Sequence, residues 1–459
     1  MLPRRFRTNA ANRLGVLILG FALSACASHA DKTLAARSAL DAGDPRGALK
    51  ALNEVLDVPS AKELPAKTGG DNAVFLLDRA MVLQELNQYT LSSRDLEVSD
   101  KQIEILDLSQ NAVADIGRYV FSDSAGPYKA PAYEKLMINT MNMVNYLTRG
   151  DLNGARVEAR RLAVMQKYMR DHGDKTRALL GPGSYLAGFV FEKSGKPEDA
   201  LRYYDEALEY GQYRDLAAPI RRLAQESDYS SPRIKELLAQ NPAVPGEAPK
   251  DGEGELLVIV NYGRVPAKYA KRIPIGLALT YASGAISPYD QERANQLALQ
   301  GLVTWVNYPE LGRPRGTWSE PSFMLDNQWQ PMEGMVAIDL EAERAWDDGR
   351  GALVASAITR TISRIIAGEA TKAIVGGGDD SSRGIIGTLL SLGVQATLTA
   401  TDTPDTRNWA TLPARIAFGR ARLSAGTHVV NLNAAGGHKR QTVTVEPGGW
   451  AVVNLTALN

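Results

Sequence analysis

Residues 241–254 divide the sequence into two parts of different composition. These fourteen residues contain three prolines and three glycines. Proline fixes φ and lacks an N–H donor, and glycine costs conformational entropy, so neither a helix nor a strand continues through the stretch. The sequence therefore predicts a linker at 241–254, with one domain at 26–240 and a second at 255–459.

The part before the linker has apolar residues at helical spacing almost throughout. One pattern recurs in it: a Gly or Asn at a turn, a small residue five positions later, and further small or apolar residues at helical spacing. The pattern is carried by Gly43, Ala48, Leu52 and Val55, by Asn87, Ser92 and Leu96, by Gly150, Ala155, Ala159 and Leu162, and by Gly195, Ala200, Tyr204 and Ala207.

This pattern resembles the tetratricopeptide repeat, a helix-turn-helix unit of about 34 residues. The turns here are 44, 63 and 45 residues apart, so we expect helical hairpins with longer helices and insertions. The resemblance implies a concave surface that binds a partner protein. A plain α-helical bundle is the alternative.

The part after the linker contains apolar stretches that are typical of β-strands. Leu256–Val260 and Ile273–Thr280 are predicted strands. Residues 351–401 are predicted to form a Gly-rich helical hairpin, and 413–457 an antiparallel β-meander with Gly-rich turns. The predicted fold class is α+β and multidomain, with an N-terminal all-α helical-hairpin domain and a C-terminal mixed domain.

Within the hairpin, residues 384–401 contain no charge over eighteen positions. That length reaches the threshold of about 18 residues for a membrane helix, but Thr, Ser, Gln and Gly dilute its apolar character. Three interpretations are open: a helix buried in its domain, a hairpin that contacts lipid or a partner subunit, and a membrane span.

The N-terminal segment 1–25 has the pattern of a secretory signal peptide. Its only charged residues are arginines, and an apolar run of about ten residues at 14–23 is followed by Ser24, Ala25 and Cys26. This ending resembles the lipobox of bacterial lipoproteins. The resemblance implies cleavage between Ala25 and Cys26, acylation of Cys26 with fatty chains such as palmitate, and, from Ala27, an outer-membrane anchor facing the periplasm.

Cys26 is the only cysteine, so no disulfide forms within the chain. The charge is 52 basic against 52 acidic residues, and loss of the four signal arginines leaves the mature chain near −4. Nucleic-acid binders carry a basic excess on one face, and this balance gives no such signature. We expect no nucleic-acid partner.

The whole mature chain resembles an uncharacterised family of Gram-negative lipoproteins with tetratricopeptide-like helices and an Asp-Thr-Arg-x-Trp-x-x-Leu-Pro segment. The segment is matched here by Asp405, Thr406, Arg407, Trp409, Leu412 and Pro413. This resemblance covers nearly the full chain and implies no activity.

The sequence offers no convincing catalytic constellation. The four histidines are not at metal-ligand spacing, and the glycines at 376–378 lack the Lys-Ser/Thr ending of a phosphate-binding loop. We therefore predict a non-enzymatic protein with no catalytic residue, no metal and no cofactor.

Four residues are candidates for binding. Tyr128 and Tyr133 lie near a Gly-Pro loop, where exposed aromatic side chains can anchor a partner; packing between helices is the alternative. Arg407 and Trp409 form a possible cation–π or carboxylate-binding pair. We favour a structural role for this pair, which would pin the meander to the preceding helix.

The leading hypothesis is a lipid-tethered scaffold that binds partner proteins through its helices, in envelope assembly or export. The alternative is an oligomeric or membrane-inserting component of a pore or secretion assembly that uses 351–401. An envelope hydrolase is a third, weaker hypothesis. The sequence leaves the oligomeric state open.

Overall fold

The computed structural model describes residues 28–105, 127–174, 176–246, 250–301, 303, 305–316, 319–375, 404–434 and 437–459. The signal segment and Cys26 therefore lie outside the described residues. Helices dominate the chain before the linker, and both helices and strands follow it, so the predicted α+β fold class is confirmed.

The N-terminal part consists of helices of 4 to 20 residues, with two short strands. Their bounds are α1 His29–Lys32, α2 Leu34–Asp41, α3 Pro45–Val55, α4 Asp71–Glu85, α5 Tyr89–Asp100, β1 Glu104–Ile105, β2 Lys129–Ala130, α6 Ala132–Thr148, α7 Leu152–Asp171, α8 Leu180–Lys193, α9 Pro197–Tyr210, α10 Ala217–Leu223 and α11 Pro232–Gln240.

The predicted turn residues join consecutive helices into hairpins. Gly43, Asn87, Gly150 and Gly195 all have positive φ, between 60° and 71°. This left-handed conformation reverses the chain after the first helix of a pair, and glycine and asparagine adopt it most readily. The small residue five positions after each turn is fully buried, so the second helix of each pair packs closely against the first.

The C-terminal part mixes strands and helices. Its bounds are β3 Gly254–Tyr262, β4 Lys268–Pro274, α12 Ile275–Tyr281, α13 Pro288–Leu299, β5 Trp305–Leu311, β6 Ser322–Leu325, β7 Gln328–Gln330, β8 Glu333–Ala337, α14 Ile338–Val375, β9 Arg415–Leu423, β10 Gly426–Ala434, β11 Gly437–Val445 and β12 Trp450–Ala457.

The last four strands do not form the predicted meander. Strand β10 pairs with β11 as a hairpin in the sheet β11-β10-β6-β7, whereas β9 and β12 flank β3 in a second sheet, β12-β3-β9-β8. Strand β12 runs parallel to β3. The meander prediction fails because β3 is apolar on both faces and therefore takes a central position, which draws β9 and β12 away from their neighbours in sequence.

Strand β3 lies between two hydrophobic cores. Leu256, Val258 and Val260 pack into the space between the two sheets. Leu257 and Ile259 point to the opposite face and belong to the same core as the helices of the N-terminal part. The N-terminal helices and the second sheet therefore share one continuous core, although residues 241–254 separate them in the sequence.

Aromatic contacts show which helices lie on this sheet. Tyr185 in α8 stacks on Phe418 in β9, with 4.4 Å between ring centroids, and Phe189 meets Trp450 edge-on at 5.8 Å. The first helices of three hairpins, α4, α6 and α8, bury nearly all their side chains. The inner surface of the hairpins, which the repeat resemblance assigns to a partner, is thus covered by the chain's own sheet.

Residues 268–311 and 346–365 form a lateral unit with its own core, in which α12, α13 and this part of α14 pack on the two-stranded sheet β4-β5. The strand predicted at Ile273–Thr280 is wrong beyond Pro274, because Pro274 caps helix α12. Of the predicted hairpin 351–401, residues 351–375 belong to α14 and the rest lie outside the described residues. No helix in the described ranges combines the length and the apolar character needed to cross a membrane.

We predict that Trp409→Phe destabilises the protein by about 2–3 kcal/mol, because it leaves a small cavity and removes a buried hydrogen bond. The Trp409 side chain is fully buried, and its Nε1–H donates to the Leu77 oxygen at 3.1 Å. Urea unfolding followed by circular dichroism measures the effect. Trp329→Phe is the control, since Trp329 is 65% exposed; equal losses in the two variants would contradict the prediction.

Candidate functional site

A cleft of about 1060 Å³ lies where the helices meet the end of the second sheet. Its walls are the end of α8, the start of α9, helix α10, the start of β3 and β12, and the end of β9; linker residues 243–246 border it. This volume is just above the usual range of ligand pockets, about 300–1,000 Å³.

Glu192, at the end of α8, is the central anion of the cleft floor. Its carboxylate accepts hydrogen bonds from Tyr204 Oη at 2.6 Å, Lys193 Nζ at 2.8 Å and Arg420 Nη2 at 3.0 Å, and it also pairs with Arg222. Burial opposes the charge of Glu192, but the cations Arg420, Lys193 and Arg222 outweigh it and hold its pKa well below the usual value.

Arg420, in strand β9, joins this carboxylate to the sheet. Its Nε donates to Glu255 Oε1 at 2.6 Å, and its guanidinium lies 5.2 Å from the Phe189 ring centroid. Burial opposes the charge of Arg420, yet Glu192 and Glu255 raise its pKa above the ordinary value. The floor is therefore a fixed set of opposite charges contributed by both parts of the chain.

Asp215 is a second carboxyl group of the cleft, with a different character. Tyr185 Oη donates to its Oδ2 at 2.7 Å, and its backbone N–H donates to Glu333 Oε2 at 2.9 Å. Burial raises the pKa of Asp215 to about 7; Arg420 and the Tyr185 hydroxyl oppose the shift, and the charge of Glu333 adds to it. This group therefore changes its charge near neutral pH.

The rim of the cleft carries exposed cations. The Lys196 and Arg214 side chains line the cleft, and neither makes a hydrogen bond or ion pair with any residue that the structure describes. Two further arginines hold the linker: Arg221 donates to the Asn241 oxygen at 2.8 Å, and Arg422 donates to the Gly246 oxygen at 3.1 Å. Cations thus line the entrance, while the acids of the floor are paired.

The tyrosines predicted as candidates for partner contacts are not on the surface. Tyr128 and Tyr133 are buried, and the Tyr128 hydroxyl donates to Glu134 Oε2 at 2.8 Å. Burial raises the pKa of both tyrosines and also that of Glu134. The interpretation in which these two tyrosines form an exposed anchor is therefore wrong, because both side chains are buried and the Tyr128 hydroxyl donates to Glu134.

Arg407 and Trp409 are also buried, far in sequence from the helices that hold them. Arg407 forms a two-pronged pair with Asp405, at 2.9 Å from Nε and 2.7 Å from Nη2. Its guanidinium lies 5.7 Å from the ring centroid of Tyr128, rather than over Trp409 as the sequence suggested. The contacts fix this segment to α4 and α6, and the helix predicted to precede it lies outside the described residues.

Sequence reasoning missed the cleft, because its residues come from segments separated by more than two hundred positions. One signal was available: Glu192 ends an apolar helix, and Arg420 directly follows the apolar run 416–419 of strand β9. A charge within an apolar element is almost always paired, so each predicts a partner elsewhere in the chain.

Among the residues that the structure describes, no group of three or more His, Cys, Asp or Glu side chains is arranged to hold a metal ion. No protein-family model matches the chain, and no curated protein matches it. The family resemblance drawn from 405–413 therefore stays a prediction.

We predict that Asp215→Asn becomes progressively more stable relative to the unchanged protein as pH rises from 5 to 8. The folded-state pKa of Asp215 is raised to about 7 from its ordinary value of 3.8. The native carboxyl therefore holds a proton that the unfolded chain has released, and this group loses stabilising effect as pH rises through 7. Unfolding in urea at several pH values measures the difference. The exposed Asp251→Asn is the control, and the same slope in both variants would refute the assignment.

Proposed function

We propose that this protein is a lipid-anchored, non-enzymatic scaffold on the periplasmic side of the outer membrane. It binds a segment of a partner protein in the cleft between helices α8–α10 and the ends of β3 and β9, in envelope assembly or export. The observation that carries the proposal is the cleft of about 1060 Å³, with paired charges on its floor and exposed cations at its entrance.

The cleft is favoured over the inner surface of the hairpins as the binding surface. Tyr185 and Phe189 of α8 already pack against Phe418 and Trp450 of the sheet. A partner on that surface would have to displace these fully or largely buried rings, whose burial contributes several kcal/mol. The cleft is open without any such rearrangement.

The charges of the cleft favour an acidic peptide segment as the ligand. Lys196 and Arg214 are exposed and unpaired within the described chain, whereas Glu226 is the comparable exposed anion. Complementary charge steers a partner to such a surface and sets its orientation more than it sets affinity. The apolar rim residues Val244 and Trp450 offer contacts for the segment's apolar side chains.

The state of Glu192 indicates that this carboxylate stabilises the cleft and does not itself act as a general acid or base. General acid–base groups work best with a pKa near the working pH. Glu192 is buried, accepts hydrogen bonds from three side chains and is held ionised by three cations. It keeps its charge at neutral pH and braces the cleft instead of exchanging a proton.

We predict that reversing both rim charges, with Lys196→Glu and Arg214→Glu, weakens partner binding roughly tenfold, about 1–2 kcal/mol from two exposed charges. A photocrosslinking amino acid at Ala218, which lines the cleft, reports occupancy in cells. The matched control reverses the charges of Lys101 and Lys235, two lysines outside the cleft lining, by substitution with Glu.

The expected result is one discrete crosslinked product that is retained in the control and lost in the rim variant. The crosslinked peptide, identified by mass spectrometry, should be acidic. An absent product, or a product equally strong in both variants, would refute binding in this cleft.

For the anchor, we predict that Cys26→Ser moves the protein from the membrane fraction to the soluble fraction. Two or more acyl chains hold a protein stably, at about 0.8 kcal/mol per buried CH₂, and serine cannot accept them in thioether linkage. Mass spectrometry of the mature protein checks the modification directly. An unmodified amino terminus at any position other than 26 would overturn the anchor.

A further inference from the structure

The chain becomes part of the folded body within three residues of Cys26. Ser28 caps helix α1: its N–H donates to Asp31 Oδ2 at 2.9 Å, and its hydroxyl accepts from the Asp31 N–H at 3.3 Å. His29 is buried and stacks on Phe75, with 4.6 Å between ring centroids. These contacts leave no flexible tether after residue 28.

The next contacts tie this segment to the C-terminal part. The Ala30 N–H donates to Thr406 Oγ1 at 3.1 Å, and Arg37 Nη2 donates to the Ala30 oxygen at 2.7 Å. Lys32 pairs with Asp71 of α4 at 2.9 Å. The start of the described chain is therefore fixed to two different elements and cannot swing away from the body.

A fully extended chain spans at most about 11 Å over the three residues from Cys26 to His29. Acyl chains attached at Cys26 would hold the bilayer surface within that reach of buried His29. A body fixed so closely cannot turn freely, so one of its faces must lie against the lipid headgroups.

We propose that the surface around helix α1 and the exposed face of the β4-β5 sheet rests on the bilayer surface. The inference rests on the proposed acylation of Cys26, and it adds an orientation: the folded body lies against the membrane instead of hanging from a long linker.

The side chains of this surface suit lipid headgroups. Leu34, the first residue of α2, is 56% exposed. Helix α1 contacts strand β4, which exposes Arg272. Arg272 lies over the ring of Trp305 in β5, with 5.4 Å to the ring centroid, and Trp305 is 42% exposed. Tryptophan, tyrosine and basic residues are enriched where proteins meet the headgroup region.

The cleft is a separate surface from this one. Its lining comes from α8 to α10 and the ends of β3 and β9, and it shares no residue with α1, β4 or β5. Membrane contact through the face proposed here therefore leaves the cleft available to a periplasmic partner.

The test uses the full-length acylated protein, in which acylation consumes the Cys26 thiol, so an introduced cysteine carries a fluorophore alone. Leu34→Cys and Trp305→Cys report on the proposed face, and Lys235→Cys is the control. Labelled proteins are bound to vesicles of phosphatidylethanolamine and phosphatidylglycerol that contain a lipid with a nitroxide on its headgroup.

We expect the nitroxide to quench the labels at 34 and 305 and to leave the label at 235 bright. A spacer of twenty Gly and Ser residues inserted between Ala27 and Ser28, about 25 Å in mean span, should lower quenching at both positions while the protein still floats with the vesicles.

Equal quenching at all three positions in a floating protein of native length would overturn the orientation while leaving the anchor intact. Quenching at 34 alone would remove the β4-β5 sheet from the proposed face. A protein that does not float with the vesicles would overturn the anchor, and this inference with it.

Discussion

The structure depends on the burial of residues 405–412 between helices α4 and α6. Trp409 is fully enclosed there and donates to the backbone of α4, and Thr411 donates from both its N–H and its hydroxyl to Asp78 Oδ1, at 3.0 and 2.9 Å. Asn408 donates to the Pro266 oxygen at 3.0 Å. Residues 405–412 form hydrogen bonds both with helices of the N-terminal part and with Pro266 of the C-terminal part. The two parts therefore form one folded unit around this segment. Leaving any of these buried groups unpaired costs about 1–3 kcal/mol.

This arrangement changes how a chain of helical hairpins can bind. An open set of hairpins would offer its inner helices to a partner. Here α4, α6 and α8 are covered by the sheet, and a buried polar network of Gln84, Asn145, Asn261 and Thr456 crosses the junction. The proposed binding surface therefore lies at the margin of the junction. The charged cleft lies at that margin, and its floor is held by Glu192 and Arg420.

Local features of the sequence predicted local features of the fold. The Gly or Asn turns and the small residues after them predicted the hairpins, because left-handed turns and close helix contacts each demand particular residue types. The presence of the last four strands follows from alternating apolar residues and glycine turns. Their pairing did not follow, since alternation reports which faces are buried and not which strand lies beside which. Tyr128 and Tyr133 were ambiguous for a similar reason: a loop tyrosine near a proline looks the same whether its hydroxyl meets water or Glu134.

The sequence by itself determined the helix-rich and strand-rich halves, the turns, the export signal pattern and the single cysteine that an acyl anchor would use. These are properties of neighbouring residues, and backbone sterics or hydrophobic periodicity link them directly to structure. Only the tertiary structure decided that one core joins the two halves and that the sheet covers the inner surface of the helical hairpins. It also decided that Arg420 pairs with Glu192. Such contacts join residues hundreds of positions apart. They are set by which apolar faces can be buried together, and no short stretch of sequence contains that information.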